Sequence, residues 1–261
     1  MREPLPREFV EALAAASGRL GIFTREILWY PVVSSTNDVA GMLADREAPE
    51  GTVVVANAQS AGRGRHGRVW ASPPGAGLYV SAIFRPKRDV PLLTIAAGVA
   101  IAEGIQSATG LAVDLKWPND AFVHGRKVAG ILAEANSSAT GPYVILGCGI
   151  NIMPAAYPPE VAVRATSLEG ELSRAVDRGL LFVECLASVS KWYEDLQRGR
   201  LAQVVEAWRL RATATIGRRV RGDVGGTTVD GVVETLDDTG ALVVRTRTGL
   251  ARVTAGELTW V

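Results

Sequence analysis

The densest run of residues able to do chemistry is Gly62-Arg63-Gly64-Arg65-His66-Gly67-Arg68-Val69-Trp70. Its glycines let a backbone approach a ligand closely, and Arg63, Arg65 and Arg68 present permanently charged forks for phosphate or carboxylate oxygens. Trp70 adds a flat face that suits a base, or else, as for most tryptophans, the core. His66 is expected to face solvent. The spacing also satisfies G-x-G-x-x-G, but a dinucleotide site needs a helix to open at the second glycine. Pro73-Pro74 forbid that helix. The run therefore reads as a mobile arginine loop for an anion, with no acidic residue inside it.

A second cluster is Lys116-Trp117-Pro118-Asn119-Asp120. Proline stops a strand, so Lys116 stands at the rim of a sheet, where ligands are commonly met; a solvated edge lysine is the plainer reading. Asn119 and Asp120 suit a turn, through local backbone hydrogen bonds. Ser35, Thr36 and Asn37 form a helix N-cap signature, and a helix start also offers free N–H groups. Gln59 carries both a donor and an acceptor. Gly147 and Gly149 bracket Cys148 on a run that something must approach closely. Cys148 lacks a nearby base, since His66 and His124 are the only histidines, and no G-x-S-x-G is present. Acyl-enzyme hydrolase chemistry has no support in the sequence.

The elements that must hold these residues follow from hydrophobic patterning. Apolar runs at residues 27–33, 52–56, 78–84, 112–117, 121–124, 128–133 and 143–146 predict strands. Helical patterns cover 37–46, capped by Ser35 or Thr36, and 92–109, which begins after Pro91 and stops at Gly110. A short helix is expected before Gly18, and a helical pair over 177–197 and 201–212, separated by Gly199. Direct strand-to-strand links through turns, as at His124-Gly125-Arg126 and Thr140-Gly141-Pro142, predict an α+β fold with a mixed, mostly antiparallel sheet. After Thr215 the pattern becomes short strands at 218–221, 227–236, 242–246 and 251–253. Turns at Gly225-Gly226 and Asp237-Asp238-Thr239-Gly240 separate them, as in a small SH3-like barrel. The expected division is 1–214 and 215–261.

Composition bounds the function. With 261 residues, 48% hydrophobic and 21% charged, the chain suits one sizeable core plus a small second domain. A net charge of +1 provides no global attraction to nucleic acid or membrane. Cys148 and Cys185 form neither a disulfide framework nor a metal-ligand spacing, so no protein-held metal site and a reducing cytoplasm are expected. Glu8 and Glu11 interrupt the apolar stretch that an export signal needs. The longest apolar run, residues 95–102, falls far short of the ~20 residues of a spanning helix.

Five segments in order resemble the biotin–protein ligase family: Ser34-Ser35-Thr36-Asn37, Gln59-Ser60-Ala61 with the arginine loop, Lys116-Trp117-Pro118-Asn119-Asp120, Lys127-Val128-Ala129-Gly130-Ile131-Leu132-Ala133-Glu134, and Gly147-Cys148-Gly149-Ile150-Asn151-Ile152. The resemblance implies a class II synthetase-like catalytic domain and a C-terminal SH3-like barrel. It implies a ligase that uses Mg-ATP to activate biotin as biotinyl-5′-AMP. The biotin then passes to a lysine of a biotin carboxyl carrier protein domain, in an acetyl-CoA, acyl-CoA or pyruvate carboxylase. Lys116 is implied to contact the biotin carboxylate and the reacting phosphate, and Arg65 to act beside it. Ser35, Thr36, Asn37, Gln59, Gly62, Arg63, Gly64, Arg68, Trp70, Gly147, Gly149 and Asn151 are implied to bind biotin or nucleotide. Asn119 falls near the phosphates and their Mg²⁺. Some family members carry an N-terminal winged-helix domain; residues 1–26 precede the first strand here, too few for one, so no DNA binding is expected. The protein is expected to be a monomer or a homodimer. A lipoate–protein ligase is the nearest enzyme alternative. A nucleic-acid-binding barrel using Arg218, Arg219 and Arg221 is the alternative from another class.

Overall fold

Two apolar runs, Ile27–Val33 (β1) and Val53–Gln59 (β2), lie parallel, with Val33 opposite Gln59. Parallel neighbours need a crossover, and the helix α2 (Thr36–Asp45) makes it. The computed structural model describes residues 1–87, 90–139, 141–154, 159–213, 215–224 and 227–260. The turn expected at Thr140, the Gly225-Gly226 turn and the boundary at residue 214 lie outside the described residues.

The remaining strands of the main sheet pair antiparallel: β3 (Gly77–Phe84), β4 (Asp114–Lys116), β5 (Asp120–Val123), β6 (Arg126–Ser138) and β7 (Gly141–Asn151). Their order across the sheet is β1-β2-β3-β7-β6-β5-β4. The α+β expectation holds, and β4 forms one edge.

The two sheet faces differ. One packs α2, through Ala40 and Ala44, on Val54, Ile83 and Ile145. Against the other lie α1 (Arg7–Ala16), α3 (Val90–Thr109), α6 (Arg178–Gln197) and α7 (Leu201–Arg209), which build the principal core. Two short helices, α4 (Pro159–Ala162) and α5 (Leu168–Leu172), follow β7. The Asp177 carboxylate caps α6 by accepting from Leu180 N–H at 2.9 Å. The 201–212 helix ends three residues early, at Arg209. Contrary to the expectation from apolar run length, residues 91–109 of α3 are long and apolar enough to cross a membrane. Some 72% of that stretch is buried inside the protein, where it serves as a core helix. Beneath the sheet a small apolar void of about 40 Å³ is lined by Leu78, Cys148, Phe182 and Cys185 among others.

The C-terminal strands β8 (Arg219–Val224), β9 (Thr227–Leu236), β10 (Leu242–Thr246), β11 (Gly249–Val253) and β12 (Glu257–Trp260) form an antiparallel sheet ordered β11-β10-β9-β8-β12. The sequence patterning did not predict β12, a four-residue strand that gains its pairing only from β8. Barrel residues Val220, Val233, Leu236 and Val244 belong to the same core as the catalytic sheet. Two bonds latch the two parts together at and just after β4: Thr215 Oγ1–H donates to Leu115 O at 3.0 Å, and Trp117 Nε1–H donates to Gly240 O at 3.1 Å. Leu115 N–H also donates to Arg211 O at 2.7 Å, which ties β4 to the segment after α7.

Candidate functional site

Register places the candidate residues. Lys116 stands opposite Asp120, Asp120 opposite Gly130, Gly130 opposite Gly149, and Gly149 opposite Tyr79. Opposed residues in antiparallel strands share a face, so this is one row across five strands. The neighbouring row holds Leu132, Gly147 and Ser81. Cys148 alternates to the other face and lines the apolar void. Burial pushes its thiol up to about 12, which removes it as a nucleophile.

The glycines in these rows make room for this chain's own side chains. A Cβ at Gly149 would run into the Trp70 indole, one at Gly130 would stand 3.0 Å from its Cζ3, and one at Gly147 would run into the Asn37 amide. The close approach expected at Gly147 and Gly149 is thus made by Asn37 and Trp70 rather than by open backbone. Trp70 lies flat on the sheet instead of projecting as a free stacking surface, with Lys127 Nζ 5.2 Å from its ring centroid. Its Nε1–H is buried and has no partner among the described residues.

The arginine loop is folded as a tight hairpin. Trp70 N–H donates to Gly62 O at 2.9 Å, Gly64 N–H donates to Arg68 O at 2.7 Å, and Arg63 bridges Val69. A Cβ at Gly62 would meet Ser72 Oγ at 2.7 Å, so the hairpin base admits no side chain. The tip turns through Arg65–Gly67, where His66 (φ 55°) and Gly67 (φ 72°) are left-handed; His66 is exposed, as expected.

Arg63 differs from the sequence expectation of an arginine without acidic partners. It pairs with Asp38 at 3.0 Å and Glu134 at 2.7 Å, carboxylates supplied by other elements. Glu134 also accepts from Asn37 Nδ2 at 2.6 Å. Arg65 is half-buried, and burial pulls its guanidinium below the usual value, with Asp120 opposing and Arg68 reinforcing. Lys116 behaves alike: burial lowers it most, Asp120 raises it, and Lys127 and Arg164 lower it. Asp120 carries Lys127 at 2.5 Å. Arg65, Lys116 and Lys127 thus gather around the single Asp120 carboxylate, leaving positive charge in excess. That is a pocket for anions.

Ser35 occupies the N-cap of α2 without a side-chain capping bond. The cap comes from β2 instead: Gln59 Oε1 accepts Thr36 N–H at 2.8 Å and Thr36 Oγ1–H at 3.1 Å. Gln59 Nε2–H donates to Ser72 Oγ at 2.8 Å, so both ends of this amide are already engaged inside the chain. The fully buried Ser81 hydroxyl lies 2.7 Å from Thr36 Oγ1 and 2.5 Å from Asn37 Oδ1. Asn119 Nδ2–H donates to Ile131 O at 2.7 Å, which ties the β4–β5 turn to β6. Asn151 Nδ2–H donates to Thr166 O at 3.0 Å, so its amide ties β7 to the segment before α5.

Ser81, Asp120, Lys127, Glu134 and Trp260 touch these residues and were not singled out from the sequence. Asp120, Lys127 and Glu134 sit in the quoted segments, so their signal was present. Ser81 and Trp260 carried none.

The sheet face thus gathers cations beside a row of glycines, and the chain is similar to proteins of known activity. Residues 29–151 match the biotin/lipoate A/B protein ligase family, and residues 215–258 match the biotin protein ligase C-terminal domain. The bifunctional ligase/repressor BirA of Bacillus subtilis is 35% identical over 94% of this chain and 78% of its own length. The biotin–[acetyl-CoA-carboxylase] ligase of Mycobacterium tuberculosis is 36% identical over 86% of this chain and 85% of its own. The biotin protein ligase of Aquifex aeolicus, solved with biotin and ATP, superposes with a TM-score of 0.80 at 27% identity, covering 91% of this chain and 99% of that one. The chain belongs to the biotin protein ligase family.

Proposed function

We propose that the protein joins biotin to a carrier protein in two steps at the expense of ATP. In the first, a biotin carboxylate oxygen attacks the α-phosphorus, an O–P bond forms, and the bond to the β-phosphate breaks to release pyrophosphate. In the second, a carrier lysine amine attacks the carbonyl carbon of biotinyl-5′-AMP, loses a proton, and AMP leaves. The observation that carries this reading is the excess of cation around Asp120, at the end of the row running from Lys116 to Gly149.

The site must bring together two anions that repel. Lys116 and Arg65 lower that repulsion and stabilise charge developing on phosphorus, from a half-buried setting where water screens them less. Mg²⁺, a hard cation that takes oxygen ligands, would neutralise phosphate charge when bound with ATP. Asn119 Oδ1 and Asp120, at the β4–β5 turn, would offer it oxygen donors. The orphan Nε1–H of Trp70 supports a ligand acceptor over the glycine floor. The carrier is a biotin carboxyl carrier domain of the kind named for the Mycobacterium tuberculosis relative. Acyl-CoA and pyruvate carboxylases offer the same chemistry, and we place the reaction in the cytoplasm, where ATP is available. The barrel's Arg219 is neutralised by Asp230 at 2.8 Å and Arg252 by Asp237 at 2.7 Å, which speaks against a nucleic-acid surface.

Biotin-dependent exchange of labelled pyrophosphate into ATP tests the first step, with lipoate as the competing acid. Exchange is expected with biotin alone. Lys116→Ala is expected to reduce it by about 10²–10³, the usual cost of removing one transition-state charge contact. Its far-ultraviolet circular dichroism is expected to match wild type, because the residue stands on a sheet edge. Wild-type rates in a folded Lys116→Ala protein overturn the assignment.

A further inference from the structure

We infer that Trp260 positions the Lys116 ammonium for the phosphorus step, so that the small barrel contributes a residue to the catalytic centre. This rests on the reading of Lys116 given above. Lys116 Nζ lies 4.8 Å from the Trp260 ring centroid and 5.4 Å from that of Phe122. A charged ammonium is attracted to an aromatic face, most strongly to indole. Lysine otherwise hangs on a flexible four-carbon stem. Here that stem grows from β4, a strand only three residues long at the sheet edge. The carboxylate directly opposite, Asp120, is engaged by Lys127 at 2.5 Å. The Phe122 ring from β5 and the Trp260 ring from the barrel thus flank the ammonium, Trp260 at the shorter distance.

The geometry is fixed from both sides. Trp260 pairs with Val220 at the end of the β12–β8 ladder, which sets where its ring stands. The barrel is in turn latched to β4 through Trp117 Nε1–H to Gly240 O at 3.1 Å and Thr215 Oγ1–H to Leu115 O at 3.0 Å. Lys116 and Trp260 therefore belong to one rigid contact, although they come from different sheets. Trp260 is a positioning residue: it acts on the substrate only through Lys116.

Pyrophosphate exchange is measured in the full chain for wild type, Trp260→Leu, Trp260→Phe and Lys116→Gln, and for Trp260→Leu combined with Lys116→Gln, with the melting temperature of each. Leu258→Ala, a partly buried β12 position, loosens the barrel without touching Lys116. Trp260→Leu is expected to lower kcat roughly 3- to 30-fold with KM for ATP changed less than about twofold, as for a lost cation–aromatic contact. Trp260→Phe retains most of the rate, Leu258→Ala keeps wild-type kcat, and Trp260→Leu adds no loss on top of Lys116→Gln. Trp260→Met, which keeps apolar bulk and removes the ring, replaces Trp260→Leu if that variant melts below the assay temperature. Wild-type kcat in either ringless variant overturns the inference. So does an undiminished further loss in the Lys116→Gln background, an equal kcat loss in Leu258→Ala, or a raised KM for ATP at unchanged kcat, which would mean that the ring contacts nucleotide. If Lys116→Gln itself keeps wild-type exchange, the role of Lys116 fails first, and if wild type shows no exchange, the proposed reaction fails.

Discussion

Trp70 combines the two readings its sequence position offered, a packed ring and a surface beside the arginine run. Its position after the arginine run suggested a surface for adenine, yet its ring spans Gly130 and Gly149 and is flanked by Lys127. The indole is rigid, so an added methyl group beneath it cannot be absorbed by a small rotamer adjustment. Gly149→Ala is therefore expected to displace Trp70 and weaken biotin and ATP binding together, at a cost of about 1–3 kcal/mol for overpacking. Trp70→Ala opens the same space. In calorimetry the double variant is expected to lose clearly less affinity than the sum of the two single losses. Strict additivity would show that the two residues do not share that volume.

At the scale of elements, the hairpin at residues 62–70 is the part of the proposed site that a retention experiment probes. Its cross-strand bonds hold Arg65 at the tip, half-buried and facing Asp120. Arg65→Gly removes a charged fork and adds backbone freedom at a tip that already contains the left-handed pair His66 and Gly67. Lys116 remains, so biotinyl-5′-AMP is expected to form still. It is then expected to escape and acylate exposed lysines of an added bystander such as serum albumin, read by a streptavidin blot. Labelling confined to the true carrier, with normal retention of the anhydride, would show that Arg65 does not hold the intermediate. The α2 start teaches a related lesson: its capping group is Gln59 on β2, where a local reading nominated Ser35 or Thr36.

At the scale of the whole molecule, barrel and catalytic sheet share one core, and β4 is latched to both. A single calorimetric unfolding transition is expected, and two resolved peaks would contradict the shared core. The turn whose Gly240 accepts from Trp117 is built on Asp237. Its Oδ1 accepts from Thr239 N–H at 2.9 Å and Ala241 N–H at 3.0 Å, and its Oδ2 accepts from Arg252 at 2.7 Å. Desolvation, the largest influence, raises its pKa, but the bonds from Thr239, Arg252 and the turn backbone together outweigh it and hold the carboxyl at about 2, below its usual 3.8. A depressed carboxyl contributes stability above the unfolded value and loses it as pH falls through the folded one. The melting temperature is thus expected to drop between 3.8 and about 2, and Asp237→Asn to flatten that part of the profile while lowering the plateau above it. An unchanged acid profile in Asp237→Asn would remove Asp237 from the account.

By itself the sequence determined the strands of the main sheet and the longer helices, though not β12, α4 or α5, together with the glycine–arginine run, the lysine at a sheet rim and the family resemblance. Each is written in segments of about ten residues, where periodicity, capping and turn chemistry act. Only the tertiary structure decided which of those residues meet. The bond from Asn37 to Glu134 spans 97 positions, and the alignment of Lys116, Asp120, Gly130 and Gly149 is a matter of strand register, which no local pattern encodes. Register also decided that Gly149 receives an indole and not open solvent, and barrel docking decided that Trp260 faces Lys116. The acidic partners of Arg63 lie on α2 and β6, outside any window that contains the loop. The chemistry was legible because residue types carry it, whereas the pairing was not, because pairing depends on distances that only the packed chain sets.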